Sequence, residues 1–234
     1  EARARPTGVG GLDRGLGGGS VPGAGGLLAG EPGVGKSTLL LDVAAKAAAV
    51  AREREDGPVL YVTGEESASQ VRLRAERIDA LDPGLLLAAE TELGALLGHV
   101  EAAGPSLLVV DSVQTIASAQ VEGSAGGVTQ VRAVAGALIA VAKERNIPVL
   151  LVGHVTKDGG IAGPRVLEHL VDVVTQFEGD RHARLRLLRA VKNRYGPTDA
   201  VGCFDLGERR IVGLADPSGL FLFAARSGVP GPCG

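Results

Sequence analysis

The segment Gly30-Glu31-Pro32-Gly33-Val34-Gly35-Lys36-Ser37 fits the pattern G-x-x-x-x-G-K-[ST]. It constrains the fold more than any other stretch, because such a loop works only between a buried strand and a helix. Its glycines let the backbone wrap a phosphate with successive N–H groups pointing inward, and the helix that follows adds the positive end of its dipole. A chain of this composition would meet the pattern by chance roughly 0.01 times. Gly30, Glu31, Pro32, Gly33, Val34, Gly35, Lys36, Ser37 and Thr38 are therefore expected to hold the phosphates of ATP or ADP. In that role Lys36 neutralises the β- and γ-phosphates and the Ser37 hydroxyl ligates Mg²⁺.

The rest of the chain supplies a matching frame. Apolar runs alternate with helix-like segments, the pattern of an α/β protein with a mainly parallel twisted sheet flanked by helices. Strands are expected at 26–30, 59–63, 85–88, 107–111 and 149–153, and helices at 36–51, 67–78, 92–102 and 128–145. Beyond residue 153 the rhythm changes. Strands at 171–177, 184–191, 200–206 and 211–214, joined by short polar turns, predict a C-terminal antiparallel extension. Glycine-rich stretches at 7–25, 120–127 and 156–165 read as long loops of the functional kind. The division expected is a lead-in over 1–25, one domain over 26–224 and a Gly/Pro-rich tail over 225–234.

Composition excludes several alternatives. A hydrophobic content of 45% with 22% charge over 234 residues rules out disorder and is enough for a large core. The longest apolar run, 133–142, contains Gly136 and is too short to cross a bilayer, so no membrane partner is expected. The N-terminal EARARPTGVG has no apolar stretch behind its charges, and Cys203 and Cys233 form no disulfide framework. A cytoplasmic setting is the expectation. A net charge of −3 disfavours a globally basic nucleic-acid binder but leaves room for a local basic channel.

Further candidates follow from strand ends. Asp111 closes the strand LLVVD, where a carboxylate can reach the magnesium through water from the neighbouring strand; its bland alternative is a helix cap. Glu65 and Glu66 follow the strand ending at Thr63, and either could act as general base or simply favour a helix N-terminus. His154 and Lys157 follow the strand VLLVG on the same edge, where His154 could contact the γ-phosphate. Lys192 and Arg194 alternate with Asn193, so the two cations share a strand face and suit an anion brought by another molecule, or merely protect an edge strand. Arg181, Arg184, Arg186 and Arg189 read as a solvated face.

Taken together, GEPGVGKSTLLL, LYVTGEES, LLVVDSVQT, GHVTKDG and especially AVKNRYG resemble the ATPase domain of the bacterial RadA (Sms) family, a RecA-like branch of the P-loop ATPases. The resemblance runs from about residue 7 to 223. It implies a RecA-like core and a DNA-dependent ATPase of recombinational repair: a hexameric ring helicase that binds single-stranded DNA and promotes branch migration, with a RecA-type recombinase as a further partner. It also implies that Lys36 and Ser37 serve phosphate and magnesium, Asp111 the metal and Glu65 catalysis. By the same resemblance Lys192 and Arg194 would reach a neighbour's nucleotide or the DNA, and 120–129 and 156–165 correspond to DNA-binding loops.

Among six scattered aromatics only Tyr195 falls in a plausible site, so DNA is expected to be held through its backbone by loop N–H groups, Arg132, Lys157 and Arg165. The family's four-cysteine zinc finger and its domain similar to the Lon protease have no counterpart in these residues. The chain therefore reads as a motor domain separated from them. Rival readings are a RecA-like regulatory switch acting on proteins, a small-molecule P-loop kinase, for which no compact Arg-rich lid is visible, and a catalytically idle scaffold.

Overall fold

The computed structural model describes residues 23–33, 35–155, 164–179, 182, 184–194, 201–206 and 211–214, with the backbone alone for 164–165 and the last two segments. In chain order the elements are β1 (Gly25–Gly30), α1 (Lys36–Glu53), β2 (Val59–Thr63), α2 (Ala68–Arg77), β3 (Leu85–Ala89), α3 (Leu93–Ala103) and β4 (Leu107–Asp111). After a 3₁₀ turn at Val113–Thr115 come α4 (Val128–Arg145), β5 (Val149–His154), α5 (Pro164–Leu167), β6 (Val173–Glu178), β7 (Leu185–Asn193), β8 (Val201–Leu206) and β9 (Ile211–Leu214). The lead-in up to residue 22, the tail over 225–234, Val34, Lys157 with the rest of 156–163, Arg181 and Tyr195 lie outside the described residues.

The nine strands form one sheet in the order β3-β2-β4-β5-β1-β6-β7-β8-β9. From β3 to β6 neighbours run parallel; β6 to β9 pair antiparallel. The α/β class and the antiparallel extension match the sequence reading, with two differences of detail. The strand expected to open the antiparallel part, β6, still pairs parallel with β1, so the reversal begins at β7. And β5 lies between β4 and β1, so Asp111 comes from two strands away rather than from the neighbouring one.

Central strands carry apolar residues on both faces because helices cover both. On one face Leu39, Leu40 and Val43 of α1 pack with Tyr61, Val109, Val152 and Phe177. On the other, Val131, Val134 and Leu138 of α4 pack with Leu108, Val110, Leu151 and Val174. Within β4 this is period-2 alternation: Leu107 and Val109 face α1, while Leu108 and Val110 face α4. Glycine-rich β1 has few β-branched residues of its own and is held between β5 and β6.

Helix ends are chemically marked. Ser67 and Gln70 form a capping box at the start of α2, and Glu92 accepts from Gly94 N and Ala95 N at the start of α3. Glu92 is therefore a cap outside the helix it was expected to begin. On β7 the solvated-face reading fails for Arg186. It shares the inward side with Leu188 and Ala190, is only 4% exposed, and donates to the Leu185 carbonyl at 3.0 Å. Arg184 is exposed, and exposed Arg189 lies 4.0 Å from Glu178. Among the described residues no helix is long and apolar enough to cross a membrane.

Candidate nucleotide site

β1 delivers Gly30 to the C-terminal edge of the sheet, and the loop that follows opens α1. Gly33 at φ 79° and Gly35 at φ 96° take left-handed conformations that favour glycine, and Gly35 is the residue capping the helix. The first turn of α1 holds no acidic side chain, so its dipole faces the loop uncompensated. Lys36 is 3% exposed, and its ammonium donates to the carbonyls of Gly30 at 2.6 Å and Glu31 at 2.7 Å. Burial lowers its pKa from 10.5 to about 8, against the opposing pull of Asp111, Glu65 and Glu31. A cleft of about 280 Å³ is lined by Gly33, Gly35, Lys36, Ser37 and Thr38 together with Glu66, Arg74 and His154.

Asp111 at the end of β4 reaches this loop directly. Its Oδ2 accepts from the Ser37 hydroxyl at 2.5 Å and from the Tyr61 hydroxyl at 2.8 Å. Its Oδ1 is buried with no hydrogen-bond partner, on a side chain whose residue is 4% exposed. A buried carboxylate oxygen left over beside a serine hydroxyl is the donor set a hard divalent cation takes, and magnesium fits it. Tyr61, fully buried on β2, has its pKa raised first by burial and then by Asp111, so it stays a donor to that carboxylate.

Glu65 joins the same group. Its Oε1 accepts from Ser112 Oγ at 3.2 Å and lies 2.7 Å from His154 Nε2. Glu65, Asp111 and His154 each present a ligand atom within 4.8 Å of the others. The Asp111–Ser112 peptide is cis. The β2–α2 turn is shaped by Thr63 Oγ1, which accepts from the backbone N–H of both Glu65 and Glu66. The Gln114 side chain grips His154 by its backbone, donating to its carbonyl and accepting from its N–H, each at 3.3 Å. Glu66, which also lines the cleft, is ion-paired with Arg74. The structure thus gathers Lys36, Ser37, Asp111, Glu65 and His154, and gives the two adjacent glutamates different partners, His154 for Glu65 and Arg74 for Glu66.

Lys192 and Arg194 stand at the opposite end of the sheet. Val174 pairs with both Lys192 and Leu27, and Val173 with both Asn193 and Gly26, so Lys192 and Arg194 lie about 10 Å and about 16 Å along the strands from Gly30. There Lys192 Nζ donates to the carbonyls of Glu168 at 2.5 Å and Val171 at 3.0 Å. Arg194 donates from Nη1 to Asp172 Oδ1 at 2.7 Å, and the other Asp172 oxygen accepts from Gly25 N at 3.0 Å. Asp172 is 1% exposed, whereas the Arg194 side chain is 56% exposed. Arg132 is exposed on α4; Arg165 is placed by its backbone in α5. Three residues that sequence reasoning passed over sit at the site: Tyr61, Arg74 and Gln114. Only Tyr61 gave a signal, a hydroxyl-bearing aromatic inside an apolar strand that needs a buried partner.

A glycine loop opening a helix, an acid bonded to the loop serine and a carboxylate–histidine pair, all at one edge of a mostly parallel sheet, define a P-loop nucleotide-binding domain. The family model described as an AAA domain matches residues 14–160, and the chain belongs to that family. Its sequence is 55% identical over 233 residues to the DNA repair protein RadA of Mycolicibacterium smegmatis, covering 98% of this chain and 49% of that protein. It is 56% identical over 222 residues to the DNA repair protein RadA of Mycobacterium tuberculosis (94% and 45% covered) and 48% identical over 220 residues to that of Streptococcus pneumoniae (94% and 51%). The chain thus spans about half the length of the curated relatives it matches. Among solved structures, the KaiC-like protein PH0186 from Pyrococcus horikoshii shares the fold, with a TM-score of 0.69 at 21% identity over 92% of this chain and 100% of that one.

Proposed function

We propose that this chain is the motor domain of a DNA-repair ATPase, hydrolysing ATP with Mg²⁺ and coupling that hydrolysis to single-stranded DNA. The carrying observation is Asp111, whose Oδ2 accepts from the Ser37 hydroxyl of the phosphate loop at 2.5 Å while its buried Oδ1 has no hydrogen-bond partner. Lys36 leaves its two carbonyls to pair with the β- and γ-phosphates; Gly30 through Thr38 wrap them. Ser37 and Asp111 hold the magnesium, which when bound draws charge from the phosphate oxygens. Glu65 takes the proton of a water whose oxygen bonds to the γ-phosphorus as the bond to the ADP oxygen breaks. His154 holds the Glu65 carboxylate in place at 2.7 Å and faces the γ-phosphate.

Lys192 and Arg194 complete the proposal across an interface. They lie far from the phosphate loop of their own chain, which supports an action on a nucleotide held by a second copy, or on DNA, within a homo-oligomer. A hexameric ring that drives branch migration, with a RecA-type recombinase as a partner, is the assembly proposed, working in the cytoplasm. Arg132, Lys157 and Arg165 are assigned to the DNA backbone. The domain proposed for this work is 26–224.

The test is the ATPase rate per subunit as a function of protein concentration, with and without single-stranded DNA. A rate that rises with concentration and again with DNA is expected. A rate indifferent to DNA but dependent on concentration would favour a regulatory switch. Indifference to both would remove the interfacial site as well as the DNA motor.

A further inference from the structure

We propose that Arg74 is a second phosphate-binding cation of the cleft, supplied by the same chain and directed at the terminal phosphate of a nucleoside triphosphate; the proposal rests on reading the cleft as a triphosphate site. α2 carries three arginines. Arg72 and Arg77 are exposed, and Arg72 lies 3.5 Å from exposed Glu76 one turn away. Arg74 alone turns inward, with its side chain 18% exposed, and lines the same cleft as Lys36, Ser37 and His154.

What holds Arg74 is Glu66, which borders the same cleft. Two physical points turn this pair into a phosphate switch. A guanidinium presents a planar fork that accepts a carboxylate or a phosphate by the same two-point geometry, so the two anions compete for it. And the site is rich in negative charge: Glu65, Glu66 and Asp111 approach it, while Lys36 and Arg74 are the lysine and arginine that line it among the described residues. A terminal phosphate entering beside His154 takes the Arg74 fork, and Glu66 is released to solvent. Lys36, at the loop, pairs with the β-phosphate that ADP and ATP share as well as with the γ-phosphate. Arg74, carried on a helix beyond the loop, distinguishes ATP from ADP. The competing reading is a brace in which the Glu66–Arg74 pair only steadies the start of α2.

The two readings separate in binding measured by equilibrium titration, with ADP and a non-hydrolysable ATP analogue as probes. Arg74→Gln is expected to weaken the ATP analogue about tenfold or more while ADP stays within about twofold. Glu66→Gln, which frees the arginine, is expected to leave the analogue's affinity unchanged or raised. Arg74→Lys, which keeps charge without the fork, should fall between; it also serves as the test variant if circular dichroism shows Arg74→Gln unfolded. Equal losses for both nucleotides, or the same loss from Arg74→Gln and Glu66→Gln, would leave only the brace. Binding of neither nucleotide by the unmodified chain would instead overturn the triphosphate reading itself.

Discussion

Lys36 carries its ammonium into the protein and bonds it to the carbonyls of Gly30 and Glu31. Its lowered pKa gives opposite trends for stability and ligand affinity. The folded protein releases this proton near pH 8, the unfolded chain only near 10.5. Between those values the unfolded state binds more protons, so stability rises with pH, and below about 8 the cost of the buried charge is fully present. Nucleotide binding needs the ammonium back. Above about pH 8, then, ADP affinity is expected to fall by up to about tenfold per pH unit, while the nucleotide-free melting temperature gains from this group. Titrating Lys36→Arg beside the unmodified chain checks it: the slope should flatten, and an unchanged slope would assign the proton to another group. The phosphate loop and Asp111 were legible in the sequence because each is announced by neighbours within a few residues, whereas Glu65 was set apart from Glu66 only by the family resemblance. Tyr61, Gln114, Arg74 and Asp172 were not. Each acts on a partner that only the folded sheet or helix brings near, as Tyr61 does on Asp111, 50 positions away.

At the scale of elements, the strands were readable almost to the residue because burial on both faces makes them continuous apolar runs. What local pattern could not supply was lateral order. Nothing in LLVVD says that β5 will come between it and the loop strand, nor does LRLLRAV say that Arg186 faces inward. Close packing at element ends makes two glycines a matched test. A Cβ on Gly30 would sit 2.6 Å from the Phe177 carbonyl oxygen and 3.2 Å from Lys36 Cδ, so β1 must shift against β6. Gly30→Ala is expected to cost about 2 kcal/mol, roughly 6 °C in melting temperature, and to abolish nucleotide binding. Gly98, within α3, has nothing within 4 Å of such an atom. Gly98→Ala should stabilise by up to about 1 kcal/mol and leave binding intact. Thermal unfolding of the two variants with and without ADP decides it, and a neutral Gly30→Ala would show that the loop strand can give way.

The molecule as a whole is mildly acidic, so any grip on DNA has to come from a few cations rather than from overall charge. If Arg132, Lys157 and Arg165 each neutralise one phosphate of a single strand, affinity should drop roughly 20-fold between about 50 and 200 mM salt, with little sequence preference. Arg132→Ala should then reduce the slope of log affinity against log salt by about 0.7. Salt-insensitive binding over that range would sink the backbone-contact reading. Filter binding of an unstructured oligonucleotide at several salt concentrations is sufficient, since exposed Arg132 can be removed without disturbing the core.

β1 joins the two ends of the domain mechanically. At its first residue, Gly25 donates to the buried Asp172 that also holds Arg194; at its last, Gly30 accepts from the ammonium of Lys36. Its six residues, ends included, span about 16 Å of extended chain that cannot lengthen, locked on either side by β5 and β6. Such a strand behaves as a strut. On the function proposed above, a load applied to Arg194 would travel through Asp172 along the strut and arrive as displacement of the phosphate loop. Mechanical work at one end and bond cleavage at the other would then share a single rigid part, and the stiffness of β1 would set how much of the stroke is transmitted.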